Sequence, residues 1–163
     1  MIQMPVNKKE NLVYTLLMVF VMAFVMTTYN VVRHEGFTLQ AIQKAWLIFP
    51  ITYTLAFVVE TLFVGKSAMF LISKFVKQTD SLPKMILISA LCFVTQMVIC
   101  MSFLCALIFN DFDENWVQNW LISMPYNFAM AYPLQVLIAG PLVGTIFRKL
   151  FPVGTIVEPI KIK

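Results

Sequence analysis

The sequence is short of charge. Only 12% of its residues are Asp, Glu, Lys or Arg, against 60% hydrophobic, whereas soluble domains average about 25% charged and about 45–50% apolar. A soluble domain of 163 residues cannot hide that much apolar surface, so the solvent for most of the chain is lipid. Histidine is nearly absent too. His34 stands alone beside Arg33 and Glu35, without the second ligand a metal site needs, and reads as a solvated interfacial side chain. The three cysteines, Cys92, Cys100 and Cys105, share one apolar run with no C-x-x-C spacing, which argues against both a disulfide framework and a zinc site. There is no P-loop, nucleophile elbow or H-E-x-x-H motif. No basic face with aromatic platforms lies outside lipid, as nucleic-acid binding would require. These absences predict a protein that is not an enzyme, holds no cofactor or metal, and has no nucleic-acid partner.

What the sequence does have is internal repetition. A shift of 75 positions carries Lys9–Phe75 onto Lys84–Leu150 without a gap, pairing Leu12 with Leu87, Met22 with Met97, Met26 with Met101, Pro50 with Pro125, Gly65 with Gly140 and Lys74 with Lys149. Each copy contains two apolar runs. The four runs, approximately 12–32, 46–64 (extending toward 75), 85–109 and 120–147, are each long enough for the roughly 30 Å of hydrocarbon that about 20 helical residues span. Fixed-period repetition of this kind sets the architecture. The expected organisation is a tail over 1–10, a transmembrane hairpin over 11–75, a linker over 76–83, a second hairpin over 84–150 and a tail over 151–163. The start imitates a secretory signal, but its apolar run exceeds the 7–15 residues of a signal h-region, so it reads as a retained anchor.

Charge placement orients the hairpins. Lys8, Lys9, Lys66, Lys74, Lys77, Lys84, Arg148, Lys149, Lys161 and Lys163 flank the ends that carry the termini and linker, while only Arg33 and Lys44 lie in the two other connections. Basic residues are retained on the cytoplasmic side, which predicts cytoplasmic termini. Both repeats then share one orientation, unlike inverted-repeat transporters. The expected fold is all-α, an integral membrane four-helix bundle built from two parallel helical-hairpin repeats and packed left-handed. Thr38 and Asp113 are candidate N-caps in the outer connections, which are expected to form short interfacial turns. Trp46, Trp116 and Trp120 fall where an outer aromatic belt belongs. Pro50, Pro125, Pro133, Gly140 and Pro141 are expected to bend the second and fourth helices, with Thr52, Asn127 and Tyr53 as candidate partners for the carbonyls that proline frees. The methionines Met22, Met26, Met97 and Met101, at i,i+4 spacing, read as core filler.

Glu60 is the costliest residue at membrane depth, where an ionisable side chain faces the bundle interior and marks function or a specific partner. Its repeat counterpart is Gln135. At about 1.5 Å per residue, Glu60 lies roughly 21 Å inward of Trp46, Gln135 roughly 22 Å inward of Trp120, and Gln96 roughly 18 Å outward of Lys84. Glu60, Gln96 and Gln135 are therefore expected to share one polar layer. As a functional site the layer would bind a proton or cation in a small transporter or efflux-type protein. As a structural one it would be hydrogen-bond glue in a non-transporting scaffold or accessory subunit.

The segment Trp116-Val-Gln-Asn-Trp-Leu-Ile-Ser-Met-Pro-Tyr-Asn-Phe-Ala-Met-Ala-Tyr-Pro-Leu, followed by Gly140-Pro-Leu-Val and Arg148-Lys-Leu, resembles a family of small bacterial inner-membrane proteins known as domain of unknown function 2798. The resemblance covers both repeats, the second more closely, and implies a helical-hairpin fold and a multi-pass bacterial plasma-membrane location. It implies no activity and no functional residues. The partners expected from the sequence are the lipid bilayer, a small-molecule or ion substrate, and further copies of the chain, since four helices rarely enclose a wide pathway.

Overall fold

In a computed structural model the chain is described over residues 8–76, 80–109 and 116–152. The described residues form helices throughout. These are α1 (Lys8–Glu35), α2 (Leu39–Val59), α3 (Gly65–Phe75), α4 (Leu82–Phe109), α5 (Trp116–Pro133) and α6 (Gly140–Leu150), with wide turns at Glu60–Val64 and Leu134–Ala139. α2 runs through the first wide turn into α3, and α5 through the second into α6. The result is four spans, each long and apolar enough to cross a membrane. The chain is an all-helical, multi-pass membrane protein. Acidic residues 111, 113 and 114, with the Asp113 cap, lie outside the described residues.

The first hairpin closes more tightly than the sequence predicts. Gly36 adopts φ +82°, a left-handed conformation that costs glycine little, and its N–H donates to Val32 O at 2.8 Å. Thr38 then caps α2, its hydroxyl accepting from Ala41 N–H at 3.1 Å. With reversal complete in three residues, α2 begins at once as a membrane helix, and the expected separate interfacial turn does not form.

The two wide turns are repeat-equivalent. Gly65 N–H donates to Glu60 O, and Gly140 N–H donates to Gln135 O, each spanning five residues rather than four. Such single π turns are rare and cluster at functional sites. Pro133 and Pro141 bracket the second and have no N–H to keep α-type bonding going. The first turn forms with Val58 and Lys66 at those positions, so the feature common to both is the glycine, not the proline.

The turns redirect each span. On the hairpin side, α2 packs along α1 and α5 along α4, each within its own repeat; beyond the turn, α3 packs on α4 and α6 on α1, across the repeats. Packing follows the same exchange. Met97 and Met101 rest on Val19, Ala23, Phe49 and Ala56, whereas Met22 and Met26 rest on Val94, Val98 and Ala131. Near the termini, Tyr14 meets the ring of fully buried Phe147 edge-on at 5.6 Å. Each hairpin therefore buries part of its apolar surface against the other.

Proline accommodation differs from the sequence expectation. Pro50 and Pro125 sit inside continuous helices, but the three candidate partners for the freed carbonyls are engaged elsewhere. Thr52 donates to Phe49 O at 3.0 Å, Tyr53 to Leu16 O at 3.5 Å, and Asn127 to Ser102 Oγ at 3.0 Å. All three turn toward other helices or neighbouring turns because their positions face the neighbouring span.

Candidate functional site: a polar cavity between the spans

Two buried polar pairs mark the middle of the hairpins. Thr27 and Thr52 hydroxyls lie 2.8 Å apart, and Asn127 Nδ2 donates to Ser102 Oγ at 3.0 Å. The pairs are repeat-equivalent, 27 with 102 and 52 with 127. Either hydroxyl can donate across the first pair. Unpaired, these groups would each be costly in hydrocarbon; paired, they fix the register of α1 on α2 and of α4 on α5. The sequence carried a signal for them, small polar residues at matched repeat positions inside apolar runs.

A cavity of about 1430 Å³ runs between the four spans. Its wall reaches from Asn11 to Glu35 along α1, roughly 36 Å at about 1.5 Å per residue, a length comparable to the hydrocarbon thickness. Glu60 and Gln135, each at its π turn, both line it, as do the two polar pairs. At one end lie Arg33, His34 and the ion-paired Glu35 and Lys44. Among the described residues the Glu60 carboxyl takes no side-chain hydrogen bond, so it faces the cavity without a protein partner.

Gln96 does not join this layer. It is not on the cavity wall; its Nε2 donates to Cys92 O at 3.1 Å and its Oε1 lies against Ser67 Oγ on α3. The depth estimate placed it by height alone. The α4 residues on the wall include Phe93, Met97 and Met101, four apart on one face, and Gln96 is turned off that face toward α3.

The proposed belt tryptophans pack on phenylalanines. Trp46 meets Phe24 edge-on at 5.1 Å, and Trp116 and Trp120 meet Phe103 at 6.0 and 5.3 Å. Trp120 also lines the cavity. The three cysteines are free thiols, and the described residues contain no cluster of His, Cys, Asp and Glu able to hold a metal ion.

A feature that the sequence offered no reason to expect closes the bundle at the other end. Arg148 Nη1 donates to Glu10 Oε2 at 3.1 Å, with side chains only 7% and 1% exposed. The pair ties the start of the first span to the end of the last.

Comparison with known proteins recovers the same two repeats. The profile of a family described as a domain of unknown function (DUF2798) matches residues 7–76 and again residues 83–151. Uncharacterized protein YybC of Bacillus subtilis (strain 168) is 32% identical over 153 residues, covering 90% of this chain and 94% of its own length. No solved structure matches the chain.

Proposed function

The chain belongs to the family described as domain of unknown function (DUF2798), in two tandem copies, and from that premise we propose that it is a proton- or cation-coupled transporter of the efflux type. The reading places it in the bacterial plasma membrane with cytoplasmic termini, which the ten-to-two placement of basic residues supports. It also takes the chain to be no enzyme. The observation that carries the reading is the cavity with Glu60 in its wall and no side chain among the described residues satisfying that carboxyl. A carboxyl so placed releases its proton when it takes a cation and regains one when the cation leaves, which couples the two movements through one group. The polar pairs by themselves suit a scaffold, since interhelical hydrogen bonds assemble membrane bundles. Glu60 facing a cavity is what favours transport over a scaffold. Four spans of one chain line the cavity.

The test is flux. Purified protein in liposomes under an imposed pH gradient is expected to move protons against a lipophilic cation such as tetraphenylphosphonium. Glu60→Gln should abolish the exchange and Glu60→Asp should retain part of it. Equal exchange by wild type and Glu60→Gln would remove Glu60 from the mechanism.

A further inference from the structure

Two equivalent repeats should give the cavity two equivalent inner ends, and in the structure they differ. α1 and α4 place matching residues on its wall, Tyr14 with Ser89 and Met18 with Phe93. α3 and α6 do not. Met69, Ile72 and Val76 carry the wall to the end of α3 and one residue beyond. Their counterparts Gly144, Phe147 and Phe151 are off it, and among the described residues α6 leaves the wall after Pro141.

Residue type accounts for the difference. α6 is sealed onto α1, because Phe147 buries its ring against Tyr14 and the next residue, Arg148, bonds Glu10. Across α3 and α4 the same positions hold Ile72 with Ser89 and Ser73 with Met85, which can form neither a ring pair nor a charge pair. Ser73 turns its hydroxyl back to Phe70 O at 2.7 Å. α3 is held to α4 higher up, through fully buried Ala68, and from Met69 onward none of its residues is buried. Asn11, Met69 and Pro83, one from each of α1, α3 and α4, are at once exposed and on the wall. They mark where the cavity meets the outside.

The rim of this mouth is apolar, formed by Met69, Ile72, Val76, Pro83 and Met85. The charged residues of this end, Lys9, Lys66, Lys74, Asp80 and Lys84, are off the wall. Lys84 pairs with Asp80 at 2.8 Å, and Lys74 lies over the Phe70 ring at 5.6 Å. With Lys77 of the linker they make the surroundings basic, as suits contact with anionic head groups. Along the wall itself, Arg33, Glu35 and Lys44 belong to the hairpin end, which leaves Glu60 as the charged residue of the inner half among the described residues. We infer that the substrate enters here. A molecule with an apolar body passes between α1, α3 and α4 and reaches Glu60 roughly 14 Å further in, at about 1.5 Å per residue from Met69. Met69 and Ile72 select it by apolar contact rather than by charge. That the mouth is open follows from its wall; that it serves transport rests on the role proposed for Glu60.

The test obstructs the mouth and reads two things. Sealed vesicles, oriented with the chain termini outward, carry the full-length protein with Cys92, Cys100 and Cys105 replaced by alanine and Glu60→Cys introduced. A charged, impermeant methanethiosulfonate reagent added outside is expected to modify position 60, read by mass spectrometry. Ile72→Trp and Met69→Trp should each slow that modification several-fold. Phe70→Trp, on the exposed face of the same helix and off the wall, should leave it unchanged. If Ile72→Trp does not fold, Met69→Trp decides alone, because Met69 is already 62% exposed. In liposomes with Glu60 intact, exchange of tetraphenylphosphonium for protons should fall several-fold in the same two variants and hold in Phe70→Trp. Slowed modification with no exchange even by the wild type would remove the transport reading and leave the mouth in place. Modification at the unobstructed rate in both variants overturns the mouth, as does a position 60 that never reacts from this face. Slowed modification with unchanged exchange overturns its use by the substrate.

Discussion

Arg148→Ala is expected to destabilise the bundle by about 3–5 kcal/mol, the cost of breaking a buried ion pair by removing one partner. The pair is well made, at 3.1 Å, and the Glu10 side chain is 1% exposed, so truncating Arg148 takes a charge-assisted hydrogen bond from a buried carboxylate. Its place in the fold amplifies the effect. Glu10 opens α1 and Arg148 lies in the last turn of α6, so the bond holds the first span to the last across 138 residues. Glu10→Ala should cost a similar amount. The double variant Glu10→Leu, Arg148→Met should recover part of the loss, because replacing both charges by apolar groups of similar size leaves neither charge to be buried. Thermal unfolding in detergent, followed by circular dichroism, reads all four proteins. A double variant no more stable than Arg148→Ala would show that the loss does not come from a charge left buried.

Gly140→Ala is expected to destabilise by about 1–3 kcal/mol, the usual cost of forcing atoms into a filled site, although glycine to alanine inside a helix ordinarily stabilises by about 1 kcal/mol. The reversal comes from the π turn. A Cβ at position 140 would stand 2.9 Å from Gln135 O, the carbonyl that accepts the Gly140 N–H, and a backbone atom cannot step aside cheaply. Gly65→Ala meets Glu60 O at 3.0 Å in the first repeat and should behave alike. At Gly144, four residues further along α6, an added Cβ would meet nothing within 4 Å; Gly144→Ala should be neutral or stabilising by up to about 1 kcal/mol. Opposite signs at two glycines of one helix are the signature to look for in unfolding midpoints. A stabilising Gly140→Ala would mean that the wide turn is not needed. Because Glu60 and Gln135 sit on these turns, the Gly65 and Gly140 variants should also disturb the cavity wall, while Gly144→Ala should leave it intact.

The architecture was legible in the sequence because its causes are local or periodic. Apolar run length predicts the spans, the 75-residue period predicts two equivalent hairpins, and Thr38 announces the start of α2 by the capping chemistry of its side chain. Glu60 stands out because a carboxyl amid Val58, Val59, Leu62 and Phe63 has no cheap solution in lipid. What the sequence hides depends on azimuth or on distant contacts. Gln96 has the right height and the wrong direction, since counting residues fixes depth but not which neighbour a face meets. The Glu10–Arg148 bond joins residues that look like ordinary flanking charges until the ends of the chain are brought together. The matched glycines Gly65 and Gly140 are visible as a repeat feature, but nothing in composition distinguishes a glycine that closes a five-residue turn from one that merely lets helices approach. The exchange of packing partners beyond those turns follows from them and is equally hidden.

The central claim is that solvent reaches Glu60 at membrane depth through the cavity, and it can be tested without knowing the substrate. Cys92, Cys100 and Cys105 are replaced by alanine, and Glu60→Cys is introduced in the full-length chain in liposomes. A small, charged methanethiosulfonate reagent, which does not partition into lipid, is added, and modification is read by mass spectrometry. Leu62→Cys, on the exposed outer surface of the same turn, is the lipid-facing control. The account predicts rapid modification at position 60 and little at position 62. A thiol at position 60 that stays unmodified in the folded protein, yet reacts fully once the protein is denatured, would contradict it and leave a dry bundle in place of a pathway.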